Sequence, residues 1–443
     1  MQKNRLLSPV LTILIALSLI LSACGTATTP VSEVEEPVME VEEPAVEEPV
    51  VEPVTIKVMT FFAVDTPEVE QGIVDAFEAA YPNIKIDFEL LPFSDYFTKL
   101  KTVIAGGAAP DVVAMNYENL QQFAALGALA ELDPFIEAED FDLDQYYANT
   151  LAMHSYKGTH YGLPATFSTV PLFINTTLFD EAGIDYPDEN WDWDDLIEAG
   201  KALTIDKDED GVIDQFGYAT AWWPMYLFLN DASFFNEDET QCALNSPEAV
   251  DGLQKMADLA LVEGIAPTRA DLSTQSDWDM FIAGRLAMFP VGPWGIGPFQ
   301  NDIKDYEWDV AHHPAMAQQA TFLFGNAYGI PAASANKEAA WEFIKFATGP
   351  AGGQLRQEGG YEISSVQAVA ESQFLSSLAG KPPEHAEIFM TATDYAYLTP
   401  AHPRWNEMQD AIWPELELAL LGEQSVQEAM DKACPLVNAI LAE

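Results

Sequence analysis

The sequence predicts an α/β protein. Between residues 54 and 125, short β-prone runs alternate with stretches of helical spacing. With 443 residues and 49% of them hydrophobic, the chain can bury a sizeable core, which excludes a wholly disordered protein. After the N-terminal segment, no apolar run approaches the ~20 residues that a spanning helix needs.

The elements follow in order. Thr55 to Phe62 is an apolar, β-prone run. Pro67 to Ala80 sets Val69, Ile73 and Phe77 on one face with Glu on the other, predicting a helix that Pro82 ends. Ile84, Ile86 and Phe88 alternate as in a strand. Phe97 to Ile104 reads as a helix closed by Gly106-Gly107, Asp111 to Met115 as a buried strand, and Asn119 to Ala125 as the next helix. This rhythm predicts a mainly parallel sheet. Gly162 to Asn175 is extended, carries two Pro, and suits a segment that leaves one lobe and starts another. Helices are predicted at Trp193–Ala202, Pro247–Val262, Lys337–Thr348, 406–421 and 424–441, and Phe281 to Met288 reads as a helix running into a strand.

The N-terminus reads as an export signal. Lys3 and Arg5 precede the apolar stretch Leu6 to Leu21, which is short for a spanning helix. Leu21-Ser22-Ala23-Cys24 resembles the bacterial lipobox, which implies cleavage before Cys24 and lipidation of that residue; the alternative is an ordinary secretory signal. Residues 25–53 hold nine Glu and five Pro with no basic residue, an extended, self-repelling spacer.

Charge narrows the function. The formal net charge is −52, from 71 acidic and 19 basic residues. Setting aside Lys3, Arg5 and the nine linker Glu leaves 62 acidic and 17 basic residues, a net −45 for residues 54–443. Nucleic-acid binding and an electrostatic grip on anionic lipid both need the Lys and Arg that are scarce here. Three Cys exclude a disulfide-dense scaffold and a four-thiolate zinc site. Once Cys24 is lipidated, Cys242 and Cys434 remain. In an exported chain they are expected to form a disulfide tying the 242 loop to the last helix, the alternative being two buried free thiols.

Asp206, Asp208, Asp210, the Val212 carbonyl and Asp214 match the first nine positions of an EF-hand calcium loop, with Gly211 at the sixth. The twelfth position is Gly217 rather than Glu, and no second helix is evident. The loop reads either as a structural Ca2+ site or as an acidic surface turn. No other cofactor is required. Gly-x-Ser-x-Gly, P-loop, Cys-x-x-Cys and His-Glu-x-x-His motifs are absent from the sequence, so no enzyme is expected.

A set of ordered segments then carries a resemblance. They are Ile56-Lys-Val-Met-Thr-Phe-Phe, Ala109-Pro-Asp-Val-Val, Gly127-Ala-Leu-Ala-Glu-Leu, Gly162-Leu-Pro with Leu172-Phe-Ile-Asn, Phe281 to Met288 with Val291-Gly-Pro-Trp294, and Gly329-Ile-Pro with Lys337 to Phe346. Their order resembles the family 1 extracellular solute-binding proteins of ABC importers, the sugar-binding group that includes maltose-binding protein. The resemblance implies a type II periplasmic-binding-protein fold, two hinged α/β lobes around a central cleft. Crossovers are expected near 164–168, 319–324 and 361–366, giving lobes of 54–165 plus 322–362 and 168–318 plus 366–443. It further implies a monomeric lipoprotein, held at the outer face of the cell membrane by its N-terminal lipid alone, that hands a sugar or oligosaccharide to permease subunits.

A sugar site needs flat aromatics for C–H faces and carboxylates or amides for hydroxyls. Trp294 is the first candidate, because the family places a sugar-stacking Trp in such a Gly-Pro-Trp turn. Phe62 and Asp65 lie just past the first strand. Asn116 and Tyr117 lie at the carboxyl end of another, where α/β sheets bind ligands. Thr166 lies in the first crossover, Asn326 at the second, and Tyr361 and Glu362 near the third. Of Trp222 and Trp223, one is expected to face the cleft and the other to pack in the core. Trp405 and Trp413 read as core or rim. The −45 charge keeps a polyamine or other cationic solute as an alternative ligand. An extracellular glycoside hydrolase is the reading from another class.

Overall fold

A computed structural model describes residues 53–442. The export signal, Cys24 and nearly all of the acidic linker lie outside the described residues.

The first sheet has the strand order Ile363–Ser364, Leu163–Thr169, Thr321–Gly329, Val112–Asn116, Val54–Thr60, Ile84–Leu90, with Ala396–Tyr397 paired beside Thr321–Gly329. Val54–Thr60 is parallel to both its neighbours, aligning Val58 with Phe88 and with Val112. The intervening helices Pro67–Ala80 and Phe93–Ala105 are the crossovers that parallel pairing demands. Pro67 opens the first at N1, Glu68 and Glu70 lie in its first turn, and Val69, Ile73, Val74 and Phe77 are its buried face.

The expectation of a mainly parallel sheet is corrected here. Thr321–Gly329 enters between Val112–Asn116 and Leu163–Thr169, antiparallel to both, and Ile363–Ser364 is antiparallel at the edge. In this sheet parallel pairing is confined to the three strands from residues 54–116 and to the short pair of Thr321–Gly329 with Ala396–Tyr397. Register puts Asn326 opposite Asn116 on one side and Thr166 on the other, and the ladder shifts between Asn326 and Ala327. Pro164, which has no amide hydrogen for the ladder, pairs with Ala327 at that irregularity.

The chain leaves this sheet at Thr169 and enters the second through Leu172–Asn175. The second sheet has the order Trp308–Ala311, Leu172–Asn175, Leu286–Pro290, Phe216–Tyr218. Its lobe is completed by the helices Pro247–Leu261, Trp405–Leu420 and Val426–Leu441. The last of these starts at a capping box between Ser425 and Glu428. Each lobe has its own core. Ile56, Val58, Ile73, Phe77 and Phe343 are at 0% exposure in one, and Leu172, Leu253, Met408, Met430 and Val437 in the other.

Two features tie distant parts together. In the first lobe Arg356, at 0% exposure, donates to both oxygens of Glu70 at 2.6 and 3.1 Å, and the Tyr328 hydroxyl donates to Glu70 at 2.9 Å. In the second, Cys242 and Cys434 are joined by a disulfide with Cα atoms 5.2 Å apart. Among the described residues, no helix is long and apolar enough to cross a membrane.

Candidate ligand-binding site

A cleft of about 430 Å³ opens between the lobes. Its first-lobe wall begins where the strand Val54–Thr60 ends. Phe61 lines it, with its ring 5.1 Å from Phe93 and 5.0 Å from Tyr96 in edge-on geometry. Phe93 also lines the cleft and is 53% exposed. Ala63, Val64, Asp65 and Thr66 continue the wall, and Ala63 holds a left-handed φ of 50°. Asn116 caps the helix Tyr117–Ala125, its Oδ1 accepting from the Asn119 amide at 3.2 Å. Tyr117 and Glu118 follow along the same wall.

The opposing wall is aromatic. Trp222 and Trp294 line it, and Phe324, on the first-sheet strand Thr321–Gly329, joins them with its ring 6.3 Å from Trp222 and 6.1 Å from Trp294. Phe322 stacks on Phe324 at 4.9 Å behind them. The Trp294 turn depends on its glycine: a Cβ on Gly292 would lie 2.1 Å from the Trp294 ring, so only Gly lets the ring fold back over the chain.

The floor is polar. Asn326, Tyr361 and Glu362 face the cavity between the two walls. Glu362 has a left-handed φ of 33°, a costly conformation for a non-glycine residue and one that concentrates at functional sites. Burial raises its carboxyl above the usual range, opposed by hydrogen bonds from Thr166, Asn326 and Ser168 that favour the charged form. Burial also raises the carboxyl of Glu118, opposed by Thr399.

Of the sequence candidates, the cleft brings together Trp294, Asp65, Asn116, Tyr117, Trp222, Asn326, Tyr361 and Glu362. Three stand elsewhere. Phe62 is at 0% exposure in the first core, 4.8 Å from the Tyr328 ring and under the Arg356 guanidinium; its neighbour Phe61 takes the wall. Thr166 is at 0% exposure and supports the floor from below through Glu362. Trp223 is core, against Phe234 and Trp405. Trp405 is buried with it, while Trp413 lies near the surface beneath Arg269. Phe61, Phe93, Glu118 and Phe324 escaped sequence reasoning. For Phe61 the signal was its place just past the end of Val54–Thr60, and for Phe324 its place in the expected second crossover at 319–324; for Glu118 and Phe93 there was none.

The acidic loop lies outside the cleft. Asp206, Asp208 and Asp210 each offer an oxygen within 4.8 Å of the others. Asp206 accepts from the Asp210 and Gly211 amides at 3.2 and 2.8 Å, while Asp214 accepts from the Lys207 amide at 2.8 Å. Val212 is 61% exposed. The twelfth loop position cannot hold Glu: Gly217 begins no helix, and a Cβ there would meet the Gly200 carbonyl at 2.3 Å.

Two α/β lobes with an aromatic-walled, polar-floored cleft between them define a protein that encloses a small polar solute. The sequence profile of the bacterial extracellular solute-binding proteins matches residues 63–354, and the chain belongs to that family. It is similar to a maltotriose-binding protein of Pyrococcus abyssi, 26% identical over 365 residues, covering 78% of this chain and 74% of that one. Among solved structures it is similar to an ABC substrate-binding protein of Listeria monocytogenes in complex with cycloalternan. That match has 31% identity and a TM-score of 0.83, over 88% of this chain and all of the other. It is also similar to a cyclic alpha-maltosyl-1,6-maltose binding protein of Arthrobacter globiformis, with 25% identity and a TM-score of 0.69, over 88% and 99% of the two chains. The family is one of exported binding proteins rather than enzymes.

Proposed function

We propose that this chain is a lipid-anchored receptor of an ABC importer, binding an α-linked glucose oligosaccharide between its lobes and presenting it to the permease. The carrying observation is the cleft itself: Phe61 and Phe93 from one lobe and Trp222 and Trp294 from the other line it together with Phe324, Asn326 and Glu362. Flat rings on both sides match the C–H faces of sugar rings, and the floor supplies hydrogen bonds for hydroxyls. The ligands named for the Pyrococcus and Arthrobacter proteins support the α-linked class. The lobes 54–165 plus 322–362 and 168–318 plus 366–443 would close about the connecting strands, with Cys24 carrying the lipid.

Isothermal calorimetry against linear and cyclic maltooligosaccharides, single sugars and polyamines tests this. The expected result is saturable sugar binding without product, weakened about tenfold or more by Trp294→Ala. Heat from polyamines with every sugar silent favours a cationic solute, and release of shorter sugars means a hydrolase. The loop at 206–214 we propose as a structural Ca2+ site: added Ca2+ raises the melting temperature, and Asp208→Asn removes the rise. No rise in the parent leaves an acidic turn.

A further inference from the structure

The cleft floor is organised by one carboxylate. Thr166 and Ser168 stand on Leu163–Thr169, Asn326 stands on Thr321–Gly329, and Glu362 immediately precedes Ile363–Ser364. These three strands are adjacent in the sheet and link the lobes. Glu362 Oε2 accepts from the Thr166 hydroxyl and, at 3.0 Å, from Asn326 Nδ2. Its Oε1 accepts from the Ser168 hydroxyl at 3.0 Å and from the same Nδ2 at 3.3 Å. The Gln357 side-chain amide donates to the Glu362 carbonyl and holds its left-handed backbone in place. One side chain therefore collects donors from two of the linking strands and is fixed at the head of the third.

Those four contacts occupy most of the acceptor capacity of the carboxylate, although the residue borders the cleft. They also fix Asn326. Both Glu362 oxygens accept from Asn326 Nδ2, so the NH2 end of that amide faces the carboxyl group. Oδ1, on the opposite branch of that amide, is the atom left for the cleft. The register shift after Asn326 is the kind of irregularity that re-aims a side chain beside a site.

Building on the proposed sugar-binding function, we propose that Glu362 is a positioning residue rather than a ligand contact: it orients the Asn326 amide so that Oδ1 is a fixed acceptor for a sugar hydroxyl at the cleft floor. The site then requires a ligand that donates a hydrogen bond at that point.

The test combines calorimetry on the parent, Glu362→Gln, Asn326→Asp and the double variant with side-chain amide NMR on the ligand-free protein. Glu362→Gln sets one NH2 against another, so the Asn326 amide must turn and offer a donor to the cleft. Asn326→Asp sets two carboxylates together. Each single change is expected to weaken sugar binding about 10- to 100-fold, as leaving a buried polar group mispaired does. The double variant restores an amide–carboxylate pair with an acceptor toward the cleft, and is expected within about fivefold of the parent, the strong non-additivity of a coupled pair. A double variant as weak as Glu362→Gln means that Glu362 touches the sugar itself and overturns the proposal, as does a Glu362→Gln affinity equal to the parent's.

The NMR arm needs no sugar. The Asn326 NH2 signals, assigned through Asn326→Asp, are expected to exchange slowly with water and to move in Glu362→Gln. Should the parent bind no sugar, the functional reading fails while these signals still decide the geometry. An Asn326 NH2 that exchanges freely in the parent overturns the inference, whether or not any variant folds.

Discussion

Glu118, which borders the cleft from the first lobe, accepts a hydrogen bond at 2.6 Å from the hydroxyl of Thr399. Thr399 lies between the strand Ala396–Tyr397 and the second-lobe helix Trp405–Leu420. The Thr399 amide donates to the Tyr117 hydroxyl at 2.8 Å, and Asn406 Nδ2 donates to Asn119 Oδ1 at 2.9 Å. The helix that carries part of the candidate site is thus bonded to the opposite lobe by a segment that contributes no cleft-lining residue.

Thr399→Val removes the hydroxyl donor to Glu118 while keeping the shape of a side chain that is 2% exposed. Its expected cost is about 1–2 kcal/mol, roughly tenfold in affinity, placed in the dissociation rate because the association path is untouched. Stopped-flow tryptophan fluorescence with a bound oligosaccharide measures it. An unchanged dissociation rate would show that the bond does not help hold the lobes together.

Adjacent phenylalanines should behave oppositely. Phe62→Ala empties a site at 0% exposure and is expected to cost about 3–5 kcal/mol of stability in urea unfolding. Phe61→Ala, at the cleft wall, is expected to weaken sugar binding several-fold with a smaller loss of stability. The reverse pattern would move the wall to Phe62.

Acid should destabilise the fold through buried imidazoles. His313 accepts from the Tyr218 hydroxyl at Nε2, 2.9 Å, and donates from Nδ1 to the Pro314 carbonyl, 3.1 Å. Burial pushes its pKa down to about 4. A ring whose folded pKa lies below its unfolded value of about 6.5 takes up a proton on unfolding. Its contribution is therefore present above about pH 6.5 and lost as pH falls toward 4. Between pH 7 and 4.5 the parent should lose about 2–3 kcal/mol more than His313→Gln in urea unfolding. His154, likewise pushed down to about 4, keeps a slope in both proteins. Equal losses in parent and variant would show that His313 protonates freely in the folded state.

Removing both Cys242 and Cys434 as Ser should lower stability by about 2–4 kcal/mol, since the bond closes a 192-residue separation in the unfolded chain. The melting temperature with and without a reductant reads it; no shift in the parent would mean that the pair is not bonded in the protein as purified.

The sequence was most legible where structure is local. Pro67–Ala80 falls on its predicted bounds because Pro67, the 3.6-residue spacing of Val69, Ile73 and Phe77, and Pro82 all lie within one stretch. The antiparallel entry of Thr321–Gly329 was not legible, because its pairing of Val113 with Gly329 spans more than two hundred residues and leaves no local periodicity. Phe61 and Phe62, and Trp222 and Trp223, are identical neighbours in the turns that follow strands, where no periodicity says which of each pair points to the cleft. Glu118 was hidden for another reason: one acid among 71 acquires meaning only from Thr399, far along the chain.

The inserted strand Thr321–Gly329 also sets a timetable. It separates Val112–Asn116 from Leu163–Thr169, so the first sheet has a gap through its middle until nearly three-quarters of the chain has been made. At ~5–20 residues per second, the earlier parallel strands wait on the order of ten seconds or more for the partner that completes them. A polypeptide that must be threaded through a membrane before it folds gains from such a delay, and here the order of strands along the chain supplies it.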